Sequence, residues 1–407
     1  MIDQPEHLID ELCRRFDRAP HEARLIRSPY RVCPLGAHVD HQRGLVTGMT
    51  VDAPIWLAYA PNDTTRVRLH SLNFSPPFEF DHALPLGLDE PAWGNYARGA
   101  AWALRQRHAL RRGFDGVVAG SLPIGGLSSS AAVGIAYLLA LEDVNELAVD
   151  ARANIEFDRL IENGFIGLNN GILDPSVILL SEPGHLTAID CDTLDFERVP
   201  SPLADDDFDL VIVYSGIGRT LVSTGYNQRV AECIAAAAHL LERARLPIAA
   251  TPRLRHVPAA VYHEHQHELD APLRKRATHY FTEIDRVRRG VAAWRAGDLA
   301  TLGALIAQSG ESSIGNYEAG SPHLITLHQI LNRCPGVYGA RFAGGGFGGC
   351  CIGLSDPDQR DAIVEQITRF YPTQHPDIKD SYRVFFQKPD GAARRIRSLS
   401  PVEAVRT

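Results

Sequence analysis

Apolar residues recur along the chain with two periods, and each predicts its own kind of element. VTGMTVDAPIWLAYAP (46–61) and TTRVRLHSLN (64–73) read as early strands, whereas NYARGAAWALRQRHALRR (95–112) carries the spacing of an amphipathic helix. After a glycine turn at Gly125 and Gly126, apolar residues at Ile135, Leu138, Leu139 and Leu141 predict a second helix. The second half opens on the strand-like LVIVYSG (210–216), is helix-dominated from Asn227 to Gln308, and closes with VYGARFA and CCIGL as strands flanking a glycine cluster. This irregular mixture predicts an α+β fold. The turn-rich, acidic stretch Arg198–Asp209 marks a boundary near residue 203, so domains of 1–202 and 203–407 are expected. The chain shows no internal repeat or low-complexity tract.

Composition narrows the class. A chain of 407 residues, 45% hydrophobic and 22% charged, has room for two substantial cores. Its net charge of -8 and pI near 6.1 argue against nucleic acid or an anionic membrane as partner, because both demand a basic surface. No apolar run reaches membrane-spanning length. The start, MIDQPEHLIDELCRRF, is acidic and amphipathic, unlike a signal peptide. Seven cysteines without a zinc spacing fit a reducing cytoplasm.

Four stretches could carry chemistry. In LPIGGLSSSAAVG a glycine turn feeds a helix through Ser128, Ser129 and Ser130; free N–H groups and the helix dipole attract phosphate there, and serine hydroxyls can cap the helix or ligate magnesium. A serine-capped core helix is the alternative. FAGGGFGGCC contains G-x-G-x-x-G at Gly344, Gly346 and Gly349, but a strand follows at once, so a dinucleotide fingerprint is rejected in favour of close backbone packing. ENGFIGLNNGILDPSVILL holds Glu162 and Asp174 in a Gly- and Asn-rich loop; the first could bind a hard cation, the second could take a proton from an attacking hydroxyl, or be a simple turn aspartate. In HEHQHE, His263 and His267 would share a helical face, an incomplete metal site.

RVCPLGAHVDH, GLSSSAA and GARFAGGGFGGCC, in that order, resemble the three motifs of the GHMP small-molecule kinases, and the first and third look like the galactokinase branch. The resemblance covers nearly the whole chain. SPYRVCPLGAHVDHQ, GLSSSAAVGIAYLLALE and EFDRLIENGFIGLNNGILD look most like kinases of galacturonic acid within that branch. It implies two α+β domains with the active site in the cleft between them, ATP as co-substrate, Mg2+ as cofactor, and phosphorylation of D-galacturonic acid at its anomeric carbon. By position, Asp174 matches the catalytic base and Arg31 the arginine at the reacting centre. Ser130 and Glu162 match magnesium ligands. Gly125, Gly126, Leu127, Ser128, Ser129 and Ser130 match the ATP-phosphate loop, with Gly344, Gly345 and Gly346 in the third motif. His38, Asp40, Gly171 and Tyr226 match sugar contacts.

One departure bears on the substrate. Galactokinases carry Glu where this chain has Ala37, and that glutamate resembles a clamp on the carbon-6 hydroxyl. A uronate brings its own carboxylate there, and two unit charges about 4 Å apart repel by ~4 kcal/mol at an effective dielectric of 20. Ala37 removes that repulsion. The carboxylate needs a cation, for which Arg219 and Arg43 are candidates. Pro175 stands where the branch usually has Gln and is expected to bias Asp174 toward an extended conformation. The phosphate loop is one residue shorter than usual. A galactokinase or glucuronokinase is the near alternative, and a catalytically silent sugar sensor the alternative of another class.

Overall fold

A computed structural model describes residues 5–123, 125–204, 206–218 and 225–396. Its strands are β1 Arg24–Val32, β2 Leu45–Pro61, β3 Arg66–Ser71, β4 Phe78–Asp81, β5 Phe114–Gly120, β6 His185–Asp190, β7 Phe196–Pro200, β8 Asp209–Tyr214, β9 Val337–Phe342, β10 Cys350–Ser355, β11 Arg383–Gln387, β12 Pro389–Asp390 and β13 Arg394–Ile396. A nine-stranded sheet runs β13-β1-β2-β5-β3-β4, with β12 and the β6–β7 pair attached to β2. Three partners along one edge are possible because β2 is 17 residues long. A four-stranded sheet, β11-β8-β10-β9, forms the second half. β3 runs parallel to β5 and the other pairings are antiparallel.

The chain leaves the first sheet after Pro200 and enters the second at Asp209, the segment that the sequence marks as turn-rich, and returns through β12 and β13 to pair with β2 and β1. The expected α+β mixture is present. Apolar packing does not stop between the sheets: one core cluster joins Ile26, Leu57 and Leu138 of the first half to Leu210, Ile352 and Trp294 of the second. Burial of such a shared core holds the two halves against each other.

The helices are α1 Pro5–Phe16, α2 Asn95–Leu104, α3 Ser129–Val144, α4 Ala151–Arg159, α5 Leu173–Leu180, α6 Tyr226–Arg243, α7 Ala259–His265, α8 Ala271–Ala296, α9 Leu299–Gly315, α10 Pro322–Leu331 and α11 Arg360–Gln374. The helix expected over 95–112 ends at Leu104. Beyond it the sequence has little apolar face to bury, and Asn145 Oδ1 instead accepts from the Arg111 and Arg112 amides at 2.6 and 2.9 Å. None of the described helices is long and apolar enough to cross a membrane.

Glycine explains how the two halves meet over the site. Gly125, Gly126, Gly344 and Gly349 all have positive φ, and a Cβ at Gly349 would fall 2.4 Å from the Gly125 carbonyl carbon. A Cβ at Gly344 would fall 2.9 Å from Gly126 Cα. The two glycine loops therefore touch backbone to backbone, an approach that side chains would block. The strand β10 follows at Cys350, so no helix opens there and the dinucleotide reading fails. Gly349→Ala is expected to cost roughly 2–3 kcal/mol, since it adds both backbone strain and a steric clash. Urea unfolding measures it.

Candidate active site

An ion pair stands at the centre. Arg31 lies near the end of β1, just after a register shift between Pro29 and Arg31 that re-aims the strand. Its Nε donates to Asp174 Oδ1 at 2.9 Å, Nη2 lies 2.7 Å from the same oxygen, and Nη1 donates to the Gly126 carbonyl at 3.1 Å. The Ser128 hydroxyl donates to the other oxygen, Oδ2. Burial alone would drive the Arg31 pKa down, yet Asp174 holds it above its ordinary value, so the guanidinium stays charged. Asp174 is thereby gripped on both oxygens while its side chain remains 21% exposed to the cavity.

Asp174 is not extended, as Pro175 led us to expect. It sits in the first turn of α5, and Pro175 follows it within that turn. Amides there have no partner one turn back, so the proline removes no helical hydrogen bond. The helix dipole also favours a carboxylate at this end. Glu162 likewise leaves the expected loop: α4 continues into a π-helical segment, Leu160–Ile166, that carries it.

Arg31, Ala37, His38, Asp40, Gly171, Asp174 and Tyr226 border one cavity, as do Gly344 and Gly345. His38 is buried at a φ of 57°, a strained conformation for a side chain. Its ring stacks on Tyr317 with centroids 4.2 Å apart, and its Nε2 has no hydrogen-bond partner. Burial keeps this imidazole well below its usual pKa, hence neutral. Such an unmatched nitrogen suits a ligand hydroxyl. Burial, and next the charge of Asp174, push Asp40 up to about 6. Gly171 is required beside it, because a Cβ there would meet Asp40 Oδ2 at 2.4 Å. Tyr226 opens α6 and meets His41 edge-on at 6.1 Å.

Ala37 is fixed from behind. Its carbonyl pairs with His279 Nε2 at 2.8 Å, and the Gly36 and Ala37 amides donate to Glu283 Oε1 at 2.8 and 3.1 Å. Burial would raise Glu283, but Arg286 foremost, with His279 and Arg341, holds it at about 2. This buried carboxylate on α8 thus supports the sugar loop from the second half.

Ser128 precedes α3 with a φ of 57° and does not cap it, because its hydroxyl is committed to Asp174. The serine-capped alternative therefore does not hold, and the helix start lacks a side-chain cap. Nearby, burial and then Asp174 push Glu162 up to about 7, while Ser130 and Asn170 pull it down. Glu162 Oε1 is buried without a partner. One turn earlier Asp158 is buried with neither carboxylate oxygen hydrogen-bonded, and burial raises it well above its usual value. Unmatched carboxylate oxygens beside a serine hydroxyl are a donor set that fits a hard divalent cation.

Several expectations fall elsewhere. Arg43 does not border the cavity; its side chain is 54% exposed and pairs with Asp192 at 3.1 Å. Arg219 lies outside the described residues. α7 ends at His265, so His263 and His267 do not share a helix. Gly346 packs under Phe342, 2.5 Å from the position of a Cβ, and is not in the cavity wall. The sequence reading missed Asp158, Glu283 and Arg341.

Fold and site together define a small-molecule phosphotransferase with its reacting groups between two α+β halves. The chain belongs to the GHMP kinases: residues 95–182 match the GHMP kinases N terminal domain and residues 291–373 the GHMP kinases C terminal family. Galacturonokinase of Arabidopsis thaliana is 46% identical over 382 residues, covering 88% of this chain and 89% of that protein. Galactokinase of Roseiflexus sp. (strain RS-1) is 33% identical over 366 residues, covering 89% and 91%. The crystal structure of Lactococcus lactis galactokinase complexed with galactose has a TM-score of 0.87 at 28% identity, covering 96% of this chain and 99% of that one. Methanococcus jannaschii mevalonate kinase, at 15% identity and a TM-score of 0.62, shares the fold. The protein is an ATP-dependent sugar kinase.

Two outcomes are expected at this site. Gly171→Ala displaces Asp40 and lowers kcat/KM for sugar by roughly 100-fold while ATP affinity is kept, as steady-state and binding measurements would report. Asp40 binds its proton more tightly folded than unfolded, so its contribution to stability is present at low pH and lost as pH rises toward about 6. Urea midpoints of wild type and Asp40→Asn should therefore approach each other near pH ~4 and separate by pH ~7.5, the variant being the more stable.

Proposed function

We propose that this kinase transfers the γ-phosphoryl group of ATP to the anomeric hydroxyl of D-galacturonic acid, giving galacturonate 1-phosphate. The observation that carries the substrate is Ala37. It borders the cavity, 5% exposed, where a glutamate would set a second carboxylate against that of the uronate. The 46% identity to a galacturonokinase supports the same reading.

In this mechanism Asp174 accepts the proton of the attacking hydroxyl as the new oxygen–phosphorus bond forms and the bond to ADP breaks. Arg31 holds Asp174 in place through their ion pair and offsets charge on the moving phosphoryl group. Ser128 holds the second carboxylate oxygen, which fixes the orientation of the base. Asp40 and the open Nε2 of His38 bind sugar hydroxyls, and Tyr226 packs at the sugar; Asp40 also distinguishes the axial carbon-4 hydroxyl from an equatorial one. The backbone of 125–130 at the start of α3, with Gly344 against Gly126, cradles the ATP phosphates. Ser130 and Glu162 are the residues that would hold Mg2+, whose chemistry is to neutralise the phosphates. The cytoplasm is the compartment we assign, in keeping with seven free cysteines.

Galactokinase is the second reading, favoured by relatives of that name at 33% and 32% identity. ADP release with galacturonate, galactose and glucuronate offered separately tests the choice. Galacturonate is expected to win clearly, a galactose preference would defeat the reading, and absence of turnover with all three would favour a silent sensor. Ala37→Glu is expected to lower kcat/KM for galacturonate by roughly 1000-fold, the size of ~4 kcal/mol of charge repulsion, and to improve galactose turnover.

A further inference from the structure

We infer that Arg341 forms the carboxylate subsite of the sugar cavity. The inference rests on the uronate reading above and adds the cation that reading requires. Arg341 lies on β9 of the second sheet and is 2% exposed, yet it borders the same cavity as Ala37, Asp40 and Asp174. A fully buried guanidinium normally has a carboxylate partner, because an unpaired buried charge is costly. Arg341 has none among the described residues. Its Nε is buried without a hydrogen-bond partner. Its one hydrogen bond runs from Nη1 to the Cys33 carbonyl and is long at 3.4 Å.

The neighbouring acids are already engaged. Glu283 gives Oε2 to Arg286 at 2.7 Å and Oε1 to two backbone amides and the Ser309 hydroxyl. Asp174 belongs to Arg31 and Ser128. Arg31 and Arg341 are the arginines bordering the cavity among the described residues, and only Arg31 has its counter-ion in the protein. Asp40, the other acid bordering the cavity, forms no ion pair with Arg341 among the described residues, so the guanidinium is left without a direct carboxylate partner. A ligand carboxylate would supply that partner, and a planar guanidinium is shaped for two parallel hydrogen bonds to such a group. The pairing spans the cleft, since Ala37 comes from the first half and Arg341 from the second.

The test compares dissociation constants for galacturonate and galactose in wild type, Arg341→Gln and Arg341→Lys, by calorimetry with the full-length protein. The expected result is that Arg341→Gln lowers the galacturonate-to-galactose affinity ratio at least about 30-fold. Arg341→Lys, which keeps the charge but loses the fork, should fall between. Melting curves establish that the variants fold, and Arg341→Lys carries the comparison where Arg341→Gln does not. Equal weakening of both sugars, the signature of a structural role, overturns the assignment, as does an unchanged ratio. A wild type that binds galacturonate no better than galactose overturns the substrate reading itself, a result visible without any variant.

Discussion

Everything in the site hangs on the contact between Arg31 and Asp174. It joins three stretches far apart in sequence: β1, the glycine turn through the Gly126 carbonyl, and the first turn of α5, with Ser128 holding the other carboxylate oxygen. The pair is buried on the arginine side and open on the aspartate side. That asymmetry is useful to a kinase. The cation is kept charged by its partner, while the carboxylate remains in reach of a ligand hydroxyl.

The surrounding structure braces that group with contacts from both halves of the chain. Glycines at positive φ let the loop at 125–126 lie directly on the loop at 344–349, backbone against backbone. Beside Ala37, α8 of the second half reaches across and anchors the backbone of Gly36 and Ala37 through Glu283 and His279. Both contacts run between the halves, which also share an apolar core.

Much of this was legible in the sequence. The three glycine- and polar-rich motifs gave the family, and the residues they pointed to, Arg31, Asp40, Gly171, Asp174 and Tyr226, meet in one cavity. What escaped did so for physical reasons. Arg341 reads as an exposed strand residue until the strand is seen to face a cleft, and Asp158 reads as the polar face of an amphipathic helix until its burial is known. Pro175 misled because the penalty on the preceding residue assumes no helix can begin there, whereas the chain begins one just before it. The stretch 105–112 misled because helical spacing continues in the sequence where no surface remains to pack it.

The central claim is one of complementarity: an acid is missing at position 37, the guanidinium at position 341 has no ion-pair partner among the described residues, and the proposed ligand brings a carboxylate to meet it. A crystal structure with bound galacturonate tests it most directly. The account predicts the carbon-6 carboxylate beside Ala37 with the anomeric hydroxyl at Asp174. A sugar seated with its carboxylate turned toward solvent, away from Ala37, would contradict it.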